Sequence, residues 1–316
     1  MWNREMIEKP AVGVDAVVGG ALAGVGHEIL ADARGTLDDP AQSQAEAVHG
    51  YRKTMKRWRA LLRLLEPFLG EDGARLQQEA RDLARELAGA RDFQAALDAL
   101  ADVANAETRL SPTSFASMRH RIETNRTAAE AIALTDTMRA RLSAAVEGAA
   151  RAVAAWPLGH IGFPQIASEL ARTYRQARRA IPKDWAAATG EDIHDLRKRV
   201  VAHRYQMEFI EPLWPRLTKV WVSEAQRLRD QLGAHHDLET LKGLTASRQP
   251  LAPWRSRLLP AIAARQQVHV TAARRLSGRL FAERPAAFRK RLVALWTHRA
   301  DEDDWTPAHD DAPPAT

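Results

Sequence analysis

Residues 48–65 decide the fold: Val48-His49-Gly50-Tyr51-Arg52-Lys53-Thr54-Met55-Lys56-Arg57-Trp58-Arg59-Ala60-Leu61-Leu62-Arg63-Leu64-Leu65. At 100° per residue this stretch separates into two faces. His49, Arg52, Lys53, Lys56, Arg57, Arg59 and Arg63 fall within an arc of about 160°. Val48, Tyr51, Met55, Trp58, Leu61, Leu62 and Leu65 occupy the other side. The spacing predicts a helix that packs on one face and carries six permanent positive charges and a titratable histidine on the other. Like charges three and four residues apart repel by a few tenths of a kcal/mol per pair. A face meant only for solvent relieves this with interspersed carboxylates, as 71–86 does with Glu71, Glu79, Arg81, Arg85 and Glu86. Between His49 and Arg63 there are none. The stripe runs about 21 Å along the axis and fits a line of phosphates, since arginine offers forked, permanently charged donors and lysine a compact ammonium. Taken alone, it reads first as a basic surface helix with no specific ligand, or as a general contact to RNA or an acidic protein.

A duplication adds to this. Sliding the chain by 145 residues aligns 46–92 with 191–237 without a gap. The shift pairs Glu46 with Glu191, His49 with His194, Arg52 with Arg197, Lys53 with Lys198 and Arg59 with Arg204. Further along it pairs Glu66-Pro67 with Glu211-Pro212 and Asp92 with Asp237. Two similar helical halves about a pseudo-two-fold axis are expected from such a repeat. The second copy is poorer in charge: Val201, Ala202 and Glu208 stand where the first has Lys56, Arg57 and Arg63, so its half is expected to bind more weakly. Between the copies Arg175, Arg178 and Arg179 cluster at i, i+3, i+4 with Arg172 one turn earlier, and they fit a pocket lining or a solvated face alike.

The rest of the chain is helical in character. Ala, Leu, Arg, Glu and Gln recur with three- and four-residue periodicity, and prolines such as Pro67, Pro112, Pro157, Pro212 and Pro285 mark expected helix ends. One helix, with room for a break, is expected between Pro112 and Pro157. Of 316 residues 46 are Lys or Arg and 40 Asp or Glu, a formal charge of +6, and there is no cysteine. Disulfides, thiolate metal sites and cysteine nucleophiles are thereby excluded. The apolar stretch 11–26 is interrupted by Asp15 and five glycines and suits neither a signal peptide nor a bilayer span. A cytoplasmic location is the resulting expectation, with no membrane partner. Residues 299–316 are acidic and Pro-rich and are expected to be disordered.

His235-His236-Asp237 is not expected to hold a metal, because adjacent helical side chains diverge by about 100°. No phosphate-cradling glycine loop or nucleophile elbow is present, and the proposed groove is poor in the carboxylates that hold Mg²⁺. No catalytic residue, cofactor or metal is assigned. His203, on the packing side, is expected to be structural.

Val48-His49-Gly50-Tyr51-Arg52-Lys53 through Arg59 with Gly89-Ala90-Arg91-Asp92 resembles the first half of a CHAD domain, the conserved histidine α-helical domain. Ile193-His194-Asp195-Leu196-Arg197-Lys198 through Arg204 with Asp237 is similar to the second half, and Arg279–Pro285 with Phe288 to its C-terminal helix. The resemblance implies an all-α fold of two four-helix bundles related by pseudo-two-fold symmetry around a basic central cavity that binds inorganic polyphosphate. It implies ligand contacts from His49, Arg52, Lys53, Lys56, Arg57, Arg59, His194, Arg197, Lys198 and Arg204; the stripe adds Arg63, and the interhelical cluster Arg175, Arg178 and Arg179. It implies a domain over 41–298, with halves of about 41–160 and 161–298 and a poorly matched segment 1–40. The expected function is non-catalytic polyphosphate binding associated with polyphosphate granules. The alternative is general binding of nucleic acid or acidic protein, for which Tyr51 and Trp58 are on the wrong face to stack bases.

Overall fold

The computed structural model describes residues 18–87, 89–106 and 110–299, apart from the side chains of 89–91 and 131–133. The expected acidic tail beyond Arg299 lies outside them. Ten α-helices and two short 3-10 turns account for most of the described residues, and no strand occurs among them. None of these helices is long and apolar enough to cross a membrane.

The decisive stretch lies in α2, Gln44–Glu86, which follows α1, Gly19–Asp38. Ser43 caps α2 by accepting from the Glu46 amide, while the Glu46 carboxylate accepts from the Ser43 amide at 2.9 Å. This reciprocal box satisfies two amides that the first turn leaves open. The end expected at Pro67 is instead a bend within α2. Proline removes one backbone donor, and the chain leaves helical geometry three residues later at Gly70, whose φ of 55° favours a residue without Cβ. In the repeat, α7 (Gly190–Phe209) is capped by Thr189 and Asp192 in the same manner. A 3-10 turn at Glu211–Leu213 then breaks the chain before α8, Pro215–Gly243. Gly70 and Pro215 are opposite each other in the 145-residue register, so the same Glu-Pro element is a kink in one copy and a full break in the other.

Between Pro112 and Pro157 the chain forms two helices, α4 (Pro112–Ala133) and α5 (Asp136–Ala154), with Thr135 capping the second. Two apolar cores result. The larger unites α1, α2, α5, α6 (Phe163–Arg179), α7, the start of α8, the end of α9 (Arg255–Leu280) and α10 (Pro285–Thr297) around Ile29, Tyr51, Trp58, Leu61 and Leu65. The smaller joins α3 (Gly89–Asn105) and α4 to the end of α8 and the start of α9 through Val103, Met118, Ile122, Leu238 and Ile262. Each core draws helices from both sides of residue 160. Asp102 on α3 accepts from Arg265 on α9 at 2.6 Å and pairs with His269, tying the smaller core together.

α1 is an integral part of the larger core through Leu22, Val25, Ile29, Ala33 and Leu37. It crosses α2 at Gly50, where a Cβ would be 2.5 Å from the Thr36 methyl. Across the molecule, Gln206 of α7 donates to the Ala60 carbonyl of α2 at 3.2 Å and accepts from Thr173 of α6 at 2.6 Å. All three helices are therefore fixed by one buried side chain, and α2 and α7 lie side by side.

Candidate anion-binding site

Packing α2 against α7 places the charged side of the opening stretch over two chambers that share Arg52. The first, of about 1060 Å³, takes His49, Arg52, Lys53 and Lys56 from α2, Arg126 from α4, Arg204 from α7 and Arg229 from α8. Glu46, Glu130 and several glutamines complete its wall. The second, of about 690 Å³, takes Arg52, Arg59 and Arg63 from the first limb of α2 and Arg81 and Arg85 from the limb beyond the kink. Arg172 of α6 and Lys198 and Arg199 of α7 close it, with Glu66 and Asp195 its only carboxylates among the described residues. The bend at Gly70 is what turns Arg81 and Arg85 toward Arg59.

In the 145-residue register, Lys53 corresponds to Lys198, Arg204 to Arg59, Gln226 to Arg81 and Arg229 to Ala84. Each chamber takes one member of every one of these pairs.

The chambers differ in how their charges are neutralised. In the first, Arg204 forms an ion pair with Glu208 at 3.3 Å and lies over the Tyr205 ring. Glu208 occupies the place equivalent to Arg63. In the second, the guanidinium groups of Arg59 and Arg63 are half-buried and make no hydrogen bond or ion pair among the described residues. Burial pushes the pKa of Arg59 down, and repulsion from Arg63, Arg81, Arg52 and Arg85 pushes it further. Arg63 is lowered first by burial and then by Arg199 and Arg81, with Glu66 opposing. Arginine's ordinary pKa is so far above neutrality that the group stays charged under such influences. The lowering measures electrostatic crowding that an anion would relieve. The carboxylates nearby are engaged: Asp195 pairs with Lys198 and Arg199, and Glu66 with Arg172.

Several expected contacts lie elsewhere. Arg57 turns away from both chambers to pair with Asp32 at 3.1 Å, with Glu208 3.9 Å away. His194 and Arg197 line neither chamber. The His194 ring stacks on His236 at 4.5 Å, and its pKa is lowered by burial and then by Lys198 and Arg197. Arg175, Arg178 and Arg179 are exposed. Arg179 lines a separate depression with Lys183 and Asp184, and the other two line neither chamber. Their helix contributes Arg172 instead. The chamber walls also hold Arg81, Arg85, Arg126, Arg199 and Arg229, none of which sequence reasoning assigns to the groove. Arg81 and Arg229 become visible only when the repeat register is applied to the chamber walls.

His203 is buried among Tyr174, Phe281 and Phe288, and burial pushes its pKa down to about 3. It is a core side chain. Among the described residues no group of three or more His, Asp or Glu is placed to hold a metal.

The model of the CHAD domain family matches residues 21–246. The chain belongs to the CHAD family. Solved structures agree at the level of fold. The CHAD domain from the plant Ricinus communis is similar over 91% of this chain and 95% of its own, with 20% identity and a TM-score of 0.57. PptA from Streptomyces chartreusis is similar over 85% of this chain and 100% of its own, with 18% identity and a TM-score of 0.59. No curated protein sequence matches. The family match begins within α1 and ends just after α8.

Proposed function

We propose that this CHAD protein binds inorganic polyphosphate without acting on it, through both chambers around Arg52. The observation that carries the reading is the pair of half-buried, unneutralised guanidinium groups of Arg59 and Arg63. Desolvating charge without a partner is costly, and a chain of phosphates supplies the missing anions at close spacing. Lys53 and Lys56 on one side of Arg52, and Lys198 and Arg199 on the other, extend the contact along α2 and α7. The exchange of register partners between the chambers is what a two-fold relation between the duplicated units would produce, and it favours a ligand engaged from both sides. Such binding would suit association with polyphosphate granules inside the cell. Nucleic acid is the weaker reading. Tyr51 and Trp58 are buried in the core, and Tyr205 is covered by Arg204, so none of these three rings is free to stack a base.

The test is a titration with polyphosphates of several lengths, competed by single-stranded DNA at two salt concentrations. The reading expects polyphosphate to win decisively at both. Equal affinity for the two polymers would sink it, and sustained phosphate release with Mg²⁺ would overturn the non-catalytic assignment.

A further inference from the structure

Residues 301–311, Asp301-Glu302-Asp303-Asp304-Trp305-Thr306-Pro307-Ala308-His309-Asp310-Asp311, hold six carboxylates and no lysine or arginine. No other place in the chain has four acidic residues in a row. We propose that this segment is the protein's own competitor for the second chamber, occupying it until an external polyanion displaces it. The inference rests on the anion-binding reading above and assigns a regulation to it.

Three observations support the pairing. The chamber presents Arg59 and Arg63 with no partner among the described residues, so it is open to an acidic occupant. Carboxylates are the one anion the chain itself can supply, and arginine donates to them in the same forked geometry as to phosphate. The segment also starts close enough. Helix α10 lies antiparallel to α6, with Phe288 stacked on Tyr174, Arg289 donating to Ser168 and Trp296 stacked on Phe163. The chain therefore leaves α10 beside the start of α6. Arg172, in the chamber wall, lies nine residues further along α6, about 14 Å, and on the far side of a helix about 10–12 Å thick. The twelve residues from Arg299 to Asp311 reach at most roughly 40 Å, enough to bring Asp310 and Asp311 to Arg172 and Arg63. Tethering gives such a segment a millimolar effective concentration, so weak individual contacts suffice to compete.

The chain has no cysteine, so a pair can be introduced cleanly into the full-length protein. Ala84→Cys stands in the chamber wall and Ala312→Cys just beyond the acidic run. Under mild oxidation the double variant should form an intramolecular disulfide. Polyphosphate should suppress it, and replacing the six carboxylates by Asn or Gln should abolish it. The same neutralised segment, without the cysteines, should bind polyphosphate roughly five- to tenfold more tightly at low salt, at the lower end of usual coupling between two ligands, with the gain fading as salt rises. A disulfide that forms equally well in the neutralised chain, that forms only between chains, or that does not form at all would overturn the proposal. So would an unchanged polyphosphate affinity. If polyphosphate binds no form of the protein, the proposed function fails, while the disulfide still reports whether the segment enters the chamber.

Discussion

Arg63 offers a perturbation whose effects on binding and on stability should have opposite signs. At about 4 Å from a phosphate, with an effective dielectric constant near 20, one guanidinium contributes roughly 4 kcal/mol of gross attraction. Part of this is lost to desolvation of the ligand, so truncating a contact of this kind removes about 2–3 kcal/mol, or roughly 30- to 150-fold in affinity. In the free protein the same side chain is repelled by Arg199, Arg81 and Arg172 and is helped only by Glu66. Arg63→Gln therefore removes a repulsive group as well as a ligand contact. Polyphosphate titration at fixed salt should show the affinity loss, while thermal unfolding of the free protein shows an unchanged or higher midpoint. Arg175→Gln, on an exposed site outside both chambers, is the control and should change affinity by less than about twofold. If Arg63→Gln instead lowers the midpoint and leaves affinity untouched, Arg63 is a structural cation with a partner inside the protein and not a ligand contact.

Three further outcomes are expected. The slope of log affinity against log salt should fall by about one for each of Arg59 and Arg63 replaced by Gln, since each releases about one counterion's worth of dependence; an unchanged slope in a weakened variant would point to a fold defect. His203 has a folded pKa of about 3 against roughly 6.5 unfolded, so the unfolded chain alone takes up its proton between those values. Stability should fall by about 1.4 kcal/mol per pH unit from this group as pH drops below 6.5, and denaturant unfolding of His203→Phe should show that component of the slope missing. Gly50→Ala should destabilise the protein by about 1–3 kcal/mol through overpacking against Thr36; adding Thr36→Ala should restore most of the loss, and a failure to do so would place the strain elsewhere.

What the sequence made legible was whatever one helix or the 145-residue register contains. The two faces of α2, the buried set from Tyr51 to Leu65 and the all-helical class followed from periodicity alone. Chamber membership did not, because it depends on how α2 bends and what crosses it. Arg81 and Arg85 sit in a run with interspersed acids that has the pattern of a solvated face, and only the kink at Gly70 folds them over Arg59. Arg57 lies at the edge of the basic arc, and α1, whose contact with α2 no periodicity reveals, supplies Asp32 to draw it away. Equivalence by register also does not guarantee equivalent exposure: His49 lines the first chamber while His194 is stacked under His236.

The most direct test of the central claim is a structure with a polyphosphate of defined length bound. Phosphate oxygens should lie within hydrogen-bond distance of Arg59 and Arg63 in the second chamber and of Lys53 and Lys56 in the first, with the ligand passing Arg52. A polyphosphate found instead on the exposed face of Arg175, Arg178 and Arg179, with both chambers empty, would contradict it.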